Sequence, residues 1–357
     1  MTIPIVAFFN NKGGVGKTTL VHHLAWMYAE LGIRVLAADL DPQANLTSAF
    51  LDEDFLEQLW SDNDGSCRTI YDVVKPLIKR VGDVAEVEPV YLGPDFDERQ
   101  MSLFSFQSAP RPEPSASPLA VLPGDLGLSR FEDDLSEQWP KCLDEQEGAF
   151  RVTSAFWRVL QRVGGKHNSQ LILIDIGPNL GAINRAALIA ADFVAIPLAP
   201  DLFSLQGLRN LGPTLQQWRK GWKQRLQKKP VNLELPRGGI RPVGYIVLQH
   251  AVRFDRPVKA YERWAARIPG EYRSKVLDET AECGAAFLDD PHCLALLKHY
   301  RSLMPMAQEA RKPMFRLKPA DGAIGAHFDA VRKAAEDFRR LARELARRTG
   351  VDLPETT

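Results

Sequence analysis

Eight residues near the start, Lys12-Gly13-Gly14-Val15-Gly16-Lys17-Thr18-Thr19, leave few folds open to this chain. They follow Ile3 to Phe9, a short run rich in β-branched and aromatic residues that reads as a buried strand. They open a stretch from about Lys17 to Leu31, with Leu20, Leu24, Met27 and Leu31 at helical spacing and Gly32 as its stop. Arg34 to Leu40 reads as a second buried strand. Strand, glycine-rich turn, helix and strand form a βαβ unit, which implies a parallel sheet and a right-handed crossover. In that setting the glycines let backbone N–H groups turn toward phosphate oxygens. The helix N-terminus adds unpaired donors and partial positive charge. Lys17 is placed to reach β- and γ-phosphates, and the Thr18 hydroxyl to bind Mg²⁺. The strict pattern has glycine where Asn11 stands; asparagine tolerates positive φ better than most residues, so the departure is mild.

The alternation continues down the chain. Leu119 to Leu122, Gln170 to Ile174, Phe193 to Pro197 and Val243 to Leu248 read as strands, with helices such as Ala182 to Ala191 and Phe203 to Arg219 between them. The expected fold class is α/β: a doubly wound, mostly parallel sheet flanked by helices, with helical insertions and ligands bound at the carboxyl ends of the strands. No long linker divides residues 1–357, so one domain is expected. Residues 105–118 (SFQSAPRPEPSASP) read as a mobile surface loop. Residues 251–310, with Trp264, Cys283 and Cys293, read as a mostly helical elaboration. A final helix is expected from Gly325 to Arg348, with the tail from Gly350 to Thr357 frayed.

Two further segments fit the phosphate loop. Asp39-Leu40-Asp41-Pro42-Gln43-Ala44-Asn45 ends the second strand, and carboxylates there face the phosphates and can orient an attacking water. Leu171-Ile172-Leu173-Ile174-Asp175 puts an acidic residue after four aliphatics, suited to holding Mg²⁺ through water. A second lysine, Lys12, has no necessary task in a simple phosphate loop.

With these residues in hand, the chain resembles the ParA/MinD family of ATPases with a deviant Walker A motif. KGGVGKTT looks like that motif, Asp39 to Asn45 like the DxDPQxN switch segment, and Leu171 to Asp175 like Walker B. Gly177-Pro178 stands where the family usually has Pro-Pro. Thr69 to Val73, Leu122 to Leu126, Ala190 to Leu208 and Ala310 to Pro313 also resemble ParA stretches. The resemblance implies ATP and Mg²⁺ as cofactors and a homodimer formed on ATP binding. It implies that Lys12 crosses to the partner's phosphates, that Asp41 positions water, and that Asp39 supports the metal shell with Thr18 and Asp175. The nucleotide-binding residues expected are Asn11, Lys12, Gly13, Gly14, Val15, Gly16, Lys17, Thr18 and Thr19. Pro200 and Gln249 are the candidates for reading adenine.

Composition narrows the partners. Net charge is zero, so no global field draws the chain to DNA. Two local stretches are basic: Gln216 to Lys229, with Trp218 and Trp222 interleaved, and the final helix, with Arg332, Lys333, Arg339, Arg340, Arg343, Arg347 and Arg348. Each is either a solvated helix face or a phosphate-contacting surface. ParA-type ATPases bind nonspecific DNA through such surfaces and respond to a ParB-like or other activating protein. The final helix also carries an apolar stripe, Phe328, Val331, Ala335, Phe338, Ala342 and Leu345, expected to pack on the domain with Phe328 and Phe338 in the core rather than on a membrane. Four cysteines without a CxxC pair, no long apolar run and no leader signature imply reduced thiols and a cytoplasmic protein, and the resemblance allows association with the nucleoid. Two other classes stay open: a small-molecule kinase or ligase of the same fold, and an iron–sulfur ATPase, although the cysteines do not follow the Walker B strand.

Overall fold

The computed structural model describes residues 2–61, 67–93, 117–249, 263–279, 289–298, 300 and 302–354. In chain order the elements are β1 (Ile5–Phe8), α1 (Lys17–Glu30), β2 (Val35–Asp39), α2 (Asn45–Phe50), α3 (Glu53–Leu59), α4 (Ile70–Ile78), β3 (Val90–Leu92) and β4 (Leu119–Leu122). There follow α5 (Phe131–Lys141), α6 (Glu147–Thr153), α7 (Ala155–His167), β5 (Leu171–Asp175), α8 (Ala182–Ala190), β6 (Phe193–Leu198), α9 (Leu202–Leu226) and β7 (Arg241–Gln249). The described part closes with α10 (Ile268–Glu271), β8 (Cys293–Lys298), α11 (Leu303–Glu309) and α12 (Ala326–Thr349).

The strands form one sheet in the order β3-β4-β2-β5-β1-β6-β7-β8. Every pairing is parallel except β3 with β4. Both faces are covered, which is why the central strands read as unbroken apolar runs. One core layer lies between the sheet and α4 to α9, around Phe131, Phe156 and Trp222. The other lies between the sheet and α1, α2 and α12, around Leu24, Phe50 and Phe338. Strand register places the site. Phe8 pairs with Asp175 and Asp39 pairs with Asp175, so the phosphate loop and both carboxylates leave the sheet at one level.

Four expectations need correction. The stretch 251–310 is not simply helical: Cys293–Lys298 is a strand that pairs with β7 and forms one edge of the sheet. Short apolar runs such as CLALLK fit either period, and here the free edge of β7 decides. Phe328 is 65% exposed, not core; the buried face of α12 is Ala334, Phe338, Leu341, Ala342, Leu345 and Ala346. Trp218 and Trp222 point inward rather than to a ligand, and Trp222 donates through Nε1 to the Pro236 carbonyl at 2.9 Å. The tail is not frayed at its start, since Val351 is buried. Residues 105–116, Cys283 and residues 355–357 lie outside the described residues. Cys67, Cys142 and Cys293 are free thiols. No helix among the described residues is long and apolar enough to cross a membrane.

Candidate nucleotide site

The phosphate loop is shaped by its glycines. Gly14 and Gly16 both have φ of 72°, in the left-handed region where a Cβ is strained. Gly16 is also pressed from outside, since a Cβ there would lie 2.7 Å from Leu248 Cδ1. Asn11 is not among the residues with positive φ, so the tolerance expected of asparagine is not used there. The loop is braced by Asn10, whose Oδ1 accepts from the Lys12 N–H at 3.0 Å and whose Nδ2 donates to the Pro197 carbonyl at 2.7 Å.

Lys17 begins α1 and curls back over the loop, with Nζ 3.3 Å from the Asn10 carbonyl and 3.4 Å from that of Lys12. Burial pushes its pKa down, against the attraction of Asp175 and Asp41. Thr18 donates through Oγ1 to Asp175 Oδ2 at 2.6 Å. The other oxygen of Asp175 is buried without a hydrogen-bond partner. A hydroxyl and a half-satisfied carboxylate are hard oxygen donors, and Thr18 with Asp175 fits the needs of a Mg²⁺ ion that keeps most of its waters.

Asp39 has no exposed surface. Its Oδ1 accepts from the Asp41 N–H at 3.2 Å, and its Oδ2 accepts from the N–H and the hydroxyl of Thr47 at 2.8 and 2.7 Å. Burial raises its pKa, and burial together with the neighbouring Asp39 charge raises that of Asp175. The pair therefore shares protons more readily in the folded chain than in the unfolded one. A raised carboxylate pKa means the folded state binds protons that the unfolded state releases, so stability from this pair falls as pH rises from about 4 through their folded pKa values, about 6 and about 8. Without Mg²⁺ or nucleotide, the protein is expected to melt at a higher temperature at the acid end of that window. Asp175→Asn should flatten the slope in a thermal-shift series; equal slopes for the two proteins would count against a raised Asp175.

A cavity of about 680 Å³ opens beside these groups, lined by Gly13, Gly14, Gly16, Lys17, Thr18, Thr19 and Asp41 on the motif side. His22, His23 and Asn45 form part of its wall, and Ala307, Gln308 and Lys312 close it from α11 and the segment after it. Asn45 belongs to the switch-like segment and Lys312 to the stretch Ala310 to Pro313, but none of these residues is among the expected site residues. His22 and His23 follow Thr18 and Thr19 by one helical turn, and that spacing places them on the same face. Nothing local points to α11. Lys12 and Pro200 are not part of the lining. Pro200 lies between β6 and α9, and Gln249 ends β7 opposite Lys298, its side chain outside the described residues.

The Lys12 side chain is engaged outside the cavity lining. Its Nζ forms an ion pair with Asp201, the N-cap of α9, and lies 5.9 Å from the centre of the Phe203 ring. Burial raises the Asp201 pKa, but bonds from Lys12 and the Ser204 N–H outweigh it and hold the carboxyl below its usual range. Leu202 and Phe203, at the start of α9 next to this pair, are exposed, as is Leu180 on the loop after β5.

The protein family described as an AAA domain matches residues 3–228. The chromosome-partitioning ATPase Soj of Treponema pallidum is 24% identical over 347 residues, covering 97% of this chain and 98% of that protein. The chromosome partitioning protein ParA of Caulobacter vibrioides is 28% identical over 231 residues, 65% of this chain and 69% of the relative. A relative from Rhizobium rhizogenes matches 58% of this chain, which spans only 42% of that longer protein. Among solved structures, the septum site-determining protein MinD of Pyrococcus horikoshii, complexed with Mg-ADP, superposes with a TM-score of 0.52 at 17% identity, covering 98% of each chain.

Proposed function

Because the chain belongs to the ParA/MinD-like P-loop ATPases, we propose that it is an ATP-driven switch that dimerises on binding ATP, engages DNA or a protein partner, and resets by slow hydrolysis. The observation that carries this reading is the division of labour between two lysines five residues apart. Lys17 lies over the phosphate loop at the cavity, while Lys12 stands outside that cavity at an exposed apolar rim. A lysine that does not serve its own phosphates is available to those of a second copy, and Leu180, Leu202 and Phe203 are apolar surface for that copy to cover.

In the closed dimer, backbone N–H groups from Gly13 to Thr19 hold the phosphates and Lys17 neutralises their charge. Thr18 and Asp175 hold Mg²⁺, which when bound draws charge from the phosphates. Asp41 orients the attacking water, and Lys12 of the partner offsets charge developing on the transferred phosphoryl group. The cytoplasm is the expected compartment, and partitioning of DNA or positioning of a cargo is the expected task, with a ParB-like or other protein as activator.

DNA is the favoured track, through α12. Its outward face carries Arg332, Lys333, Arg339, Arg340, Arg343 and Arg347. Of these, Lys333, Arg339 and Arg343 make no ion pair among the described residues. On α9 the basic stretch is reduced, because Arg225 is buried with its guanidinium 3.7 Å from the Trp139 ring centre. Binding of nonspecific double-stranded DNA by the Asp41→Ala protein, with ATP and with ADP over a salt series, tests the reading. Binding with ATP alone that weakens steeply with salt is expected. Equal binding in both nucleotide states, or none in either, would remove DNA as the switched partner.

A further inference from the structure

Thr47, in the first turns of α2, is fully buried and joins three parts of the chain. Its N–H and its hydroxyl both donate to Asp39 Oδ2, at 2.8 and 2.7 Å. The same hydroxyl oxygen accepts from the N–H of Gly124, just past β4, at 2.7 Å. Asp39 Oδ1 takes the backbone N–H of Asp41 at 3.2 Å. The joint leaves no space for a larger residue on the β4 side, since a Cβ on Gly124 would lie 2.8 Å from Asp39 Cγ. That side is anchored in turn: the Ile70 N–H donates to the Pro123 carbonyl at 2.9 Å, and Trp60 Nε1 to the Gly124 carbonyl at 3.2 Å. On the other side the carboxylate of Asp41 faces Gly177, 3.2 Å from where a Cβ would stand.

We infer that Thr47 is a positioning residue for ATP hydrolysis: it fixes the Asp39 carboxylate, and through it the backbone of Asp41, at the wall of the phosphate cavity. The inference rests on the ATPase reading above. A group that donates to a buried carboxylate while accepting from a buried N–H must be a hydroxyl, and at this size only threonine or serine supplies it. Valine has the same shape and neither capacity, so it leaves the Gly124 N–H and one Asp39 interaction unsatisfied in a buried place. The carboxylate is then free to turn, and Asp41 loses its tether. Thr47 itself is not part of the cavity lining, so nucleotide affinity is not its direct concern.

The test compares full-length wild type with Thr47→Ser, Thr47→Ala and Thr47→Val. Affinity for a non-hydrolysable ATP analogue, kcat and KM by phosphate release, and the melting temperature are measured for each. Serine is expected to stay within about twofold of wild-type kcat. Alanine and valine are expected to lose about tenfold to hundredfold in kcat, the scale of a small misplacement of a reacting group, with analogue affinity within about threefold of wild type. Alanine leaves room for water to satisfy the Gly124 N–H, and so carries the test if valine does not fold. Wild-type kcat in the alanine variant would overturn the inference. So would equal losses of affinity and kcat, or a serine variant as slow as alanine. A wild-type chain that turns over no ATP would overturn the ATPase reading and this inference together, whereas an active wild type with unaffected Thr47 variants overturns this inference alone.

Discussion

Asp41→Ala is expected to slow ATP hydrolysis by about a hundredfold to ten-thousandfold, the range lost when a group that handles a proton or orients water is removed, and to leave ATP bound. The expectation follows from where the carboxylate stands. Asp41 lines the cavity with Lys17 and Thr18, while its neighbour Asp39 is turned into the protein and bound by Thr47 and the Asp41 N–H. The hydrogen bonds that shape the phosphate loop do not involve Asp41; they run through Asn10, Pro197 and the loop carbonyls, and Asp41 adds only a charge attraction on Lys17. The substitution therefore removes a group that serves the reaction and spares the groups that bind. Single-turnover hydrolysis separates the two, and size-exclusion chromatography with ATP should show dimer accumulating as the reset fails. An Asp41→Ala protein that hydrolyses ATP at the wild-type rate would reassign the water-orienting role.

Lys12→Ala is expected to bind ATP with near-normal affinity, remain monomeric, and hydrolyse about a thousandfold more slowly, the low end of the effect of a cation supplied in trans. The ion pair with Asp201 is no obstacle to that crossing. Both partners are partly exposed, at 28% and 37% of their side-chain surface, and such pairs contribute only up to about 1 kcal/mol. Asp201 keeps its other role, accepting from the Ser204 N–H at 2.8 Å, whether or not Lys12 is present. Lys17→Ala is the contrasting control, because it should lose the nucleotide outright. Sedimentation with and without ATP, alongside nucleotide affinity, distinguishes the two lysines. A Lys12→Ala protein that dimerises normally with ATP would end its assignment as the crossing residue.

The motif half of the site was legible because its chemistry is local. Left-handed turns at Gly14 and Gly16 need glycine, and a carboxylate after a run of aliphatics marks the end of a buried strand. Strand and helix periods then placed Lys17, Asp41 and Asp175 together. The rest depends on contacts distant in sequence. Thr47 reads as an ordinary helix-start residue until Gly124, 77 residues further on, is seen donating to it. The wall made by Ala307 and Gln308 has no signature, and Lys312 has only the resemblance of the stretch Ala310 to Pro313. The tryptophans of α9 are not placed by the sequence, where basic residues beside aromatics suit a solvated face or nucleic acid equally well; in the fold, helical period turns Trp218, Trp222 and Arg225 to the core and the lysines to solvent. The apolar stripe of α12 was real, but it begins later than its spacing suggests.

That stripe has a consequence for how the protein comes into being. Helix α1, which carries Lys17 and Thr18, is held down by α12: the Tyr28 hydroxyl donates to the Ala342 carbonyl at 2.9 Å, and the His23 ring stacks on Phe338 at 4.8 Å. His23 also accepts the N–H of Met314 at 3.0 Å. On the ribosome, α1 is complete by residue 30, whereas its roof, Ala326–Thr349, is made roughly three hundred residues later. A nascent chain therefore carries the whole phosphate motif long before it carries the packing that rigidifies it. Firm nucleotide binding is expected only once α12 has been made, and products cut short before it are expected to carry the motif without that packing.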